Sequence, residues 1–441
     1  MPGSQPASSG ATLTYSAVAP STSIGPSSLT SVAQYLFWLM FRNMASDGFV
    51  FEDPIRPGVL SAAGCVLASP SWENTATHVT QDYVYNWTRD AAMVAIELAH
   101  GTLPTNQPLV DYVQFAQLCQ TSVGDFDRAS FLINGETRPD WTDQTDGPAL
   151  QTLATLALYS QLGAPTQAVA TAVIAANLNF LENVYQGETF NLWEEEYGFS
   201  FFARSVQLAC LEAISANALG IPVPAWLETA IPWLQNALQG HWNGEYYESM
   251  IPAPTDKAPY DPNSDIVMAA IYGAIEVTDT KLLATAARLR SQWDDPASPH
   301  YYPINGADQQ RNIGPMMGRY PGDVYDGDND QSGDDHPWAV CTCNFAELYY
   351  RLAAEITAAG AVPFDGNSTE FFNQVGIASA TTPAAAATAL QAAGDQMLQA
   401  IIFHSDHFEL SEQFDANTGY EKSVSNLSWS YASFLSAVRA R

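Results

Sequence analysis

The segment "AVCTCNFAELYYRLAAEI" at residues 339–356 indicates the fold class. Its apolar residues follow the three- and four-residue spacing of an α-helix, but they cover almost the whole circumference instead of one stripe. A second stretch, "FFARSVQLACLEAI" at 201–214, has the same character. A helix that is apolar nearly all round is buried on more than one side. The two segments therefore predict a protein in which some helices are enclosed by others.

Helical periodicity continues along most of the chain, and strand patterns are few and short. About twelve helices are predicted, near residues 29–45, 89–101, 107–121, 147–162, 165–185, 200–219, 224–240, 265–276, 280–293, 337–359, 382–403 and 426–440. Twelve helices, half of them buried on two sides, predict an all-α fold, an (α/α)6 barrel with an inner ring wrapped by an outer ring. A helical solenoid is the competing architecture, but it would repeat a sequence motif and none is found.

The domain organisation predicted from the sequence is simple. Residues 1–28 are rich in Ser, Pro and Gly and carry no charge, so we expect an extended arm there. Residues 29–441 show no break in composition and are predicted to form one domain. In a ring of paired helices the loops at one end converge, so we expect the functional site in those loops.

The charge balance narrows the range of partners. The chain of 441 residues has 47 acidic and 16 basic residues, a net charge of −31. Such a field disfavours nucleic acids and anionic membrane surfaces, but it leaves a neutral ligand such as a sugar unaffected. The early apolar run at 32–41 is too short for a membrane span of ~20 residues, and no signal peptide is visible. Cellular location stays open.

The five cysteines and one acidic stretch contain residue types that can bind metals, but their patterns do not match known metal sites. Most of the cysteines sit in apolar helix-like segments, so we expect buried free thiols and no dense disulfide framework. Cys341 and Cys343 lack the two-residue spacer of zinc sites. The stretch "DGDNDQSGDD" at 326–335 lacks the glycine and closing glutamate of a calcium loop, and we interpret it as a solvated rim loop. No metal site is predicted.

Aromatic and acidic residues are concentrated between the helices. The segments rich in them are 69–90, 137–148, 186–200, 299–338 and 404–426. If these loops converge, they form a pocket of Trp, Tyr, Asp and Glu with few bases. Aromatic planes stack on sugar faces, and carboxylate and guanidinium groups bind hydroxyls. The distribution therefore favours a carbohydrate site.

Three acidic positions within these loops also have ordinary structural explanations. The glutamate run in "NLWEEEYGFSFF" (191–202) is typical of a solvated surface when taken alone. Asp90, in "YVYNWTRDAAM" (83–93), falls in the first turn of a predicted helix, where any carboxylate is stabilised by the helix dipole. Glu412, in "SEQFD" (411–415), precedes the last helix, and loop glutamates are usually exposed.

Six motifs taken together resemble those of glucoamylases, in the same order and at similar spacing from about residue 48 to 437. They are "CVLASPS" (65–71), "YVYNWTRDAAM" (83–93), "WTDQTDGPAL" (141–150), "NLWEEEYGFSFF" (191–202), "GRYPGDVYDG" (318–327) with a following PW, and "LSEQFD" (410–415) with "LSWSYASFL" (427–435). Each motif alone is weak, but six in order are specific.

The resemblance implies a function. It implies an inverting exo-acting glycoside hydrolase of the (α/α)6 class, which releases β-D-glucose from the non-reducing ends of α-glucans or malto-oligosaccharides. It implies no cofactor, and it suggests an extracellular location. We expect a monomer without an appended starch-binding module. Two alternatives stay open: a related hydrolase of isomaltose, dextran or trehalose, and a catalytically inactive sugar-binding protein, which the presence of both carboxylates argues against.

The resemblance also assigns roles to individual residues. Glu194 matches the general acid, and Glu412 matches the general base that activates water. The matched substrate ligands are Arg89, Asp90 and Arg319 at the terminal glucose, Tyr83 and Gln413 near the base and its water, Trp87, Trp141, Trp338 and Trp429 in the aromatic wall, and Glu195 at the next sugar. Trp193, which directly precedes Glu194, is also predicted to bind substrate. Trp141 lies one residue closer to "DGPAL" than the family pattern has it. In an extended segment Glu194 and Glu195 would point to opposite sides and could serve different sugars.

Overall fold

The computed structural model of the protein describes residues 26–71, 81–123, 126–139, 141–255, 260–327 and 335–441. These ranges contain fourteen α-helices: α1 (Pro26–Phe41), α2 (Thr88–His100), α3 (Gln107–Val123), α4 (Gly147–Leu158), α5 (Ala164–Val184), α6 (Phe201–Ala216), α7 (Leu227–Gln239), α8 (Asp265–Tyr272), α9 (Thr280–Asp294), α10 (Pro303–Gln309), α11 (Ala339–Ala359), α12 (Thr369–Asn373), α13 (Pro383–His404) and α14 (Ser428–Ala440). The same ranges contain short strands: β1 (Asn86–Trp87), β2 (Ser130–Phe131), β3 (Thr189–Phe190), β4 (Tyr197–Ser200), β5 (Met250–Ile251), β6 (Gln413–Phe414) and β7 (Glu421–Lys422).

Six of the helices form a closed ring. Helices α2, α4, α6, α8, α11 and α14 each pack against the next in this order, and α14 packs back against α2. The six other long helices, α1, α3, α5, α7, α9 and α13, lie outside this ring, each packed against an inner helix. The predicted all-α fold with an (α/α)6 barrel is confirmed.

The two segments that were apolar all round, α6 and α11, both belong to the inner ring. Every residue of α11 from Ala339 to Tyr350 is buried. An inner helix touches two ring neighbours and at least one outer helix, so it has no broad face left for water. This packing is the reason that its sequence lacks a polar stripe.

Each of the twelve predicted helices is present, with ends shifted by a few residues. Two short helices were not predicted, α10 and α12, of seven and five residues. Segments of this length are too short to show helical periodicity. Helix α1 begins at Pro26, inside the arm predicted for residues 1–28, and residues 1–25 of that arm lie outside the described residues.

Inner and outer helices alternate along the chain, so all inner helices begin at the same end of the barrel. Every described strand lies in a segment that leads from an outer helix to an inner one. They pair antiparallel as β1 with β2, β3 with β4, β4 with β5, and β6 with β7. These small sheets tie neighbouring loops together where the inner helices begin.

The cysteine prediction is confirmed, since all five cysteines are buried and free. The acidic stretch 326–335 can be judged only at its ends, because residues 328–334 lie outside the described residues. The side chain of Asp326 is 6% exposed and pairs with Lys422 at 3.0 Å, and Asp335 accepts hydrogen bonds from Trp293 and Tyr302. The interpretation as a solvated loop is therefore wrong for both ends, where protein donors replace water.

Candidate active site

A cavity of about 390 Å³ opens where the inner helices begin. Its size lies in the range of small-molecule sites. It is lined by Ala68, Gln81, Asp82, Tyr83, Trp87, Arg89, Asp90, Trp141, Leu192, Trp193, Glu194, Glu195, Arg319, Tyr325, Trp338, Glu412, Leu427 and Trp429. These residues come from the segments that lead into α2, α4, α6, α11 and α14 and from the first turns of α2 and α14. The positive ends of five helix dipoles therefore face a cavity rich in carboxylates.

The glutamate run forms a tight turn and not the extended segment predicted. Glu194 adopts the left-handed conformation with φ of 64°, and its backbone N–H donates to the carbonyl of Asn191 at 3.0 Å. The Asn191 side chain accepts hydrogen bonds from the backbone N–H groups of Glu195 and Glu196 at 2.9 and 3.2 Å. The turn, and not strand alternation, makes the side chains of Glu194 and Glu195 diverge.

Glu194 is held by four donors. Its Oε1 accepts from Trp87 Nε1 at 2.7 Å and from Arg89 Nη2 at 3.3 Å. Its Oε2 accepts from Trp141 Nε1 at 2.5 Å and from Thr142 Oγ1 at 3.3 Å. The side chain is 14% exposed, so one edge of the carboxyl group remains open to the cavity. Glu194 is therefore a fixed and accessible carboxyl group, and its interpretation as part of a solvated surface is wrong.

Glu412 lies in a different environment. The residue is 2% exposed, which contradicts the ordinary interpretation of a loop glutamate. Tyr83 OH donates to its Oε1 at 2.6 Å, and Ser423 Oγ donates to its Oε2 at 2.5 Å. Burial raises the pKa of Glu412 to about 7, against the opposing effect of the hydrogen bonds from Ser423 and Tyr83.

Glu195 belongs to a second charged group on the wall of the cavity. It accepts hydrogen bonds from Arg319 Nη2 at 2.9 Å and Tyr320 OH at 2.8 Å. Arg319 also donates to both oxygens of Asp323, at 2.7 and 2.6 Å. The buried guanidinium group thus has two carboxylate partners, which fix its plane at the cavity surface.

Arg89 and Asp90 form the third charged group, at the beginning of α2. Arg89 Nη1 donates to Gln144 Oε1 at 2.9 Å, and its guanidinium nitrogens lie 3.5 and 3.6 Å from Asp90 and Asp146. Asp90 is 5% exposed, and burial raises its pKa to about 7 while Arg89 lowers it. Within the described residues Asp90 Oδ2 and Arg89 Nε have no hydrogen-bond partner. Buried polar atoms beside a cavity are suited to bind hydroxyl groups of a ligand.

Tryptophans form the apolar surface of the cavity. Trp193, Trp338 and Trp429 contact one another with ring centroids 5.7 to 6.4 Å apart. Trp87 and Trp141 pack edge to face at 6.1 Å. Although Trp141 lies one residue closer to "DGPAL" than in the family pattern, its indole lines the cavity and donates to Glu194.

Of the thirteen residues predicted for the site, twelve line the cavity. Gln413 does not; it is fully buried and donates from Nε2 to the carbonyl of Tyr325 at 3.0 Å. Residues that the sequence analysis missed include Tyr325, Asp82 and Ser423. Tyr325 lies in the motif "GRYPGDVYDG" and could have been chosen as an aromatic, whereas nothing in the sequence distinguishes Ser423.

The geometry suits acid–base chemistry at a sugar. Two carboxyl groups, each with its own donors, lie on one cavity together with aromatic planes and charged hydroxyl ligands. Among the described residues no group of three or more His, Cys, Asp or Glu side chains is arranged to hold a metal ion. No described helix is long and apolar enough to cross a membrane.

Comparison with known families agrees with this geometry. The sequence model of the family described as "Glycosyl hydrolases family 15" matches residues 39–439. The chain belongs to this family. The predictions of a glycoside hydrolase and of a resemblance to glucoamylases are therefore confirmed.

Family 15 relatives cover nearly the whole chain. A probable glucoamylase of Schizosaccharomyces pombe is 26% identical over 429 residues, which span 91% of this chain and 88% of the relative. An intracellular sporulation-specific glucoamylase of Saccharomyces cerevisiae is 28% identical over 477 residues, with coverage of 92% and 84%. The similarity thus extends over the entire barrel and is not confined to the site motifs.

Solved structures show the same fold. The family 15 chain superposes on a glucoamylase from Saccharomycopsis fibuligera with a TM-score of 0.79 and 21% identity, covering 94% of each chain. A glucoamylase from Hormoconis resinae gives a TM-score of 0.76 and 24% identity, covering 94% of this chain and 73% of that one. At this identity the likeness supports the barrel architecture.

Proposed function

We propose that this family 15 enzyme is a glucoamylase that releases β-D-glucose from the non-reducing ends of α-glucans or malto-oligosaccharides. The observation that carries the proposal is the presence of Glu194 and Glu412 on one cavity, each held by a separate set of donors. Hydrolysis of a glycosidic bond with inversion needs one carboxyl group to give a proton and another to take one. The names of the relatives, which are glucoamylases, support the α-glucan substrate.

In the proposed reaction Glu194 is the general acid. Its proton passes to the glycosidic oxygen as the bond from that oxygen to the anomeric carbon breaks. Glu412 takes a proton from a water molecule, whose oxygen forms the new bond on the opposite face of the sugar. One water is consumed, and an α-linked substrate gives β-glucose.

The shape of the site supports attack at a chain end. The cavity lies at one end of the ring, and the interior below it is filled by inner-helix side chains. Glu97 and Glu347 are buried there, and they pair with the partly exposed Arg439 and Arg351 at 2.6 and 2.5 Å. A pocket closed below admits the end of a polysaccharide but not the middle of a chain.

The residues around the two carboxyl groups are assigned to different sugars of the substrate. We assign Arg89, Asp90 and Arg319 to hydroxyl groups of the terminal glucose, because their polar atoms lie at the cavity wall. Glu195 is assigned to the next sugar. The tryptophan surface covers the sugar faces and excludes water from the reacting bond. Gln413, predicted to lie near the base and its water, does not line the cavity. We therefore assign it an indirect role, in which its hydrogen bond to the carbonyl of Tyr325 holds that residue in place.

The linkage preference is tested by a substrate panel. Glucose release is measured on maltose, soluble starch, isomaltose, dextran and trehalose, and we expect maltose and starch to be preferred. Preference for one of the other three would replace the α-1,4 assignment. Absence of activity on all five would favour the sugar-binding protein.

The stereochemistry is tested by proton NMR in the first minutes of reaction, before mutarotation. A β-glucose signal is expected first, and an initial α-glucose signal would contradict Glu412 as the base.

We also propose that residues 29–441 act as one catalytic domain and as a monomer. Sedimentation of the active enzyme measures the latter.

A further inference from the structure

Arg138 is a buried cation next to the cavity, and it has no part in the proposed reaction. It is 3% exposed, and it is not among the residues that line the cavity. Its guanidinium carbon lies 3.4 Å from the ring centroid of Trp141 and 3.8 Å from that of Tyr85. The cation therefore lies between two aromatic rings, with Trp87 at 5.1 Å.

The rings around Arg138 lead directly to Glu194. Trp141 and Trp87 are the two indoles whose N–H groups donate to the carboxyl oxygens of Glu194. Arg138 covers a face of Trp141, while the N–H edge of the same indole points to Glu194. Trp141 is half-buried and sits in a loop, so without a partner on this face its ring could rotate.

An ion pair alone does not explain the position of Arg138. Its Nη2 pairs with Asp82 at the rim of the cavity, but only Arg138 is buried in this pair, and the 40% exposed Asp82 is screened by solvent. Within the described residues Arg138 Nη1 is buried without a hydrogen-bond partner. A flat cation stacked on an indole compensates for part of this burial.

We propose that Arg138 is a positioning residue, which holds the Trp141 indole so that its N–H keeps Glu194 in the orientation for proton donation. The inference rests on the proposed function, in which Glu194 is the general acid. Arg138 acts through Trp141 and does not touch the sugar. Its effect should therefore depend on whether the leaving group needs a proton.

The test compares two substrates. Maltose needs a proton on its leaving oxygen, whereas α-D-glucosyl fluoride releases fluoride without prior protonation. Arg138→Met keeps the length of the side chain but removes the planar cation. We expect kcat on maltose to fall about tenfold or more, which is a part of the ~10²–10⁴-fold that general acid catalysis contributes. We expect kcat on the fluoride to fall less than about threefold. Equal losses on both substrates, or no loss on either, would overturn the inference.

A second variant covers the case in which Arg138→Met does not fold. Arg138→Lys retains the charge near Asp82 but lacks the flat group that covers Trp141. It should lower the maltose rate relative to the fluoride rate in the same direction and by less. A ratio equal to that of the wild type in a folded Arg138→Lys protein contradicts the role of the stacked plane.

Arg56 offers a matched control. It lies 5.3 Å from the centroid of the same Tyr85 ring, donates to Tyr85 OH at 3.2 Å, and pairs with Asp53 at 3.0 Å. Arg56→Met should leave the ratio of the two rates unchanged. A change as large as that of Arg138→Met would assign the effect to Tyr85 packing and overturn the inference.

Glu194→Gln separates this inference from the proposed function. If Glu194→Gln hydrolyses the fluoride but not maltose, Glu194 is the acid and the Arg138 variants are judged on their own results. If Glu194→Gln loses both activities, the acid assignment fails, and the inference about Arg138 fails with it.

Discussion

Tyr83 and Trp87, four residues apart in the chain, lie with their ring centroids 5.8 Å apart, and each holds a different carboxyl group. Tyr83 OH donates to Glu412, and Trp87 Nε1 donates to Glu194. The segment that leads into α2 therefore sets the positions of both proposed catalytic groups relative to each other. A shift of this segment would change the acid and the base together.

The assignment of acid and base predicts that variants of the two residues differ in their dependence on the leaving group. Glu194→Gln should lower kcat on maltose by ~10²–10⁴-fold or more, since an amide cannot donate the proton, but it should hydrolyse α-D-glucosyl fluoride. Glu412→Gln should lose both activities, because each reaction needs an activated water. Steady-state rates on the two substrates measure the difference. The reverse pattern would exchange the roles of the two residues.

The pH dependence of the base can be observed alone in Glu194→Gln with the fluoride substrate. Burial raises the pKa of Glu412 to about 7, and the base works only when ionised, so the rate should rise as the pH increases through about 7. The hydrogen bond from Tyr83 favours the ionised form, and Tyr83→Phe should move this rise to higher pH. Ser423→Ala is expected to act in the same direction. A shift of this rise to lower pH in either variant would mean that a group other than Glu412 controls the pH dependence of the rate.

Asp90 is predicted to act in substrate binding and not only at the helix end. Asp90→Asn should lower kcat/KM on maltose and on the fluoride alike, by about tenfold to hundredfold, since hydrogen bonds to charged groups contribute roughly 1.5–3 kcal/mol. Asp146→Asn is the matched control, because Asp146 also lies beside Arg89 but does not line the cavity. It should have a smaller effect on kcat/KM. A helix-end charge alone would predict a loss of ~0.3–1 kcal/mol in stability with activity retained.

Two acids with raised pKa values, the half-buried Asp261 and the buried Asp265, predict that the enzyme becomes less stable as the pH rises. Burial raises the pKa of Asp261 to about 8 and that of Asp265 to about 7, whereas both ionise near pH ~4 in the unfolded chain. The folded state then retains protons that the unfolded state loses. This contribution to stability is fully present below pH ~4 and is lost as the pH rises through about 7 to 8.

Asp261→Asn tests this dependence by thermal melts. One oxygen of Asp261 accepts from the backbone N–H of Ser249 at 2.9 Å, and the other has no partner among the described residues, so an amide fits. We expect Tm to rise at pH 8 and to change little at pH 4. Glu355→Gln, at an exposed position on α11, removes the same charge and should not change Tm selectively at pH 8. Equal effects of the two variants would assign the change to net charge.

The helical architecture could be predicted from the amino-acid sequence. Apolar periodicity depends only on the local chain, and helices enclosed by others, such as α6 and α11, show no polar face. The order of the motifs also determined the family and twelve residues of the cavity. The two helices that it missed, α10 and α12, are too short for a periodic signal to develop.

The contacts of each carboxyl group could not be predicted from the sequence, because they depend on how the chain folds in space. Glu194 and Glu412 are 218 residues apart, and closing the ring brings both to one cavity. The sequence predicted an extended segment at Glu194, but the Asn191 side chain stabilises a left-handed turn by accepting two backbone N–H groups. A turn held by a side chain has no periodic pattern to detect.

The same reason explains Ser423 and Arg138. Ser423 reaches Glu412 across eleven residues, and Arg138 reaches Trp141 and Tyr85 from a segment between two helices. A serine and an arginine in a loop carry no sign of their partners, because a hydrogen bond or a stacked ring depends on where the chain returns in space. Local sequence specifies helices through short-range spacing, whereas only the closed barrel specifies which side chains meet.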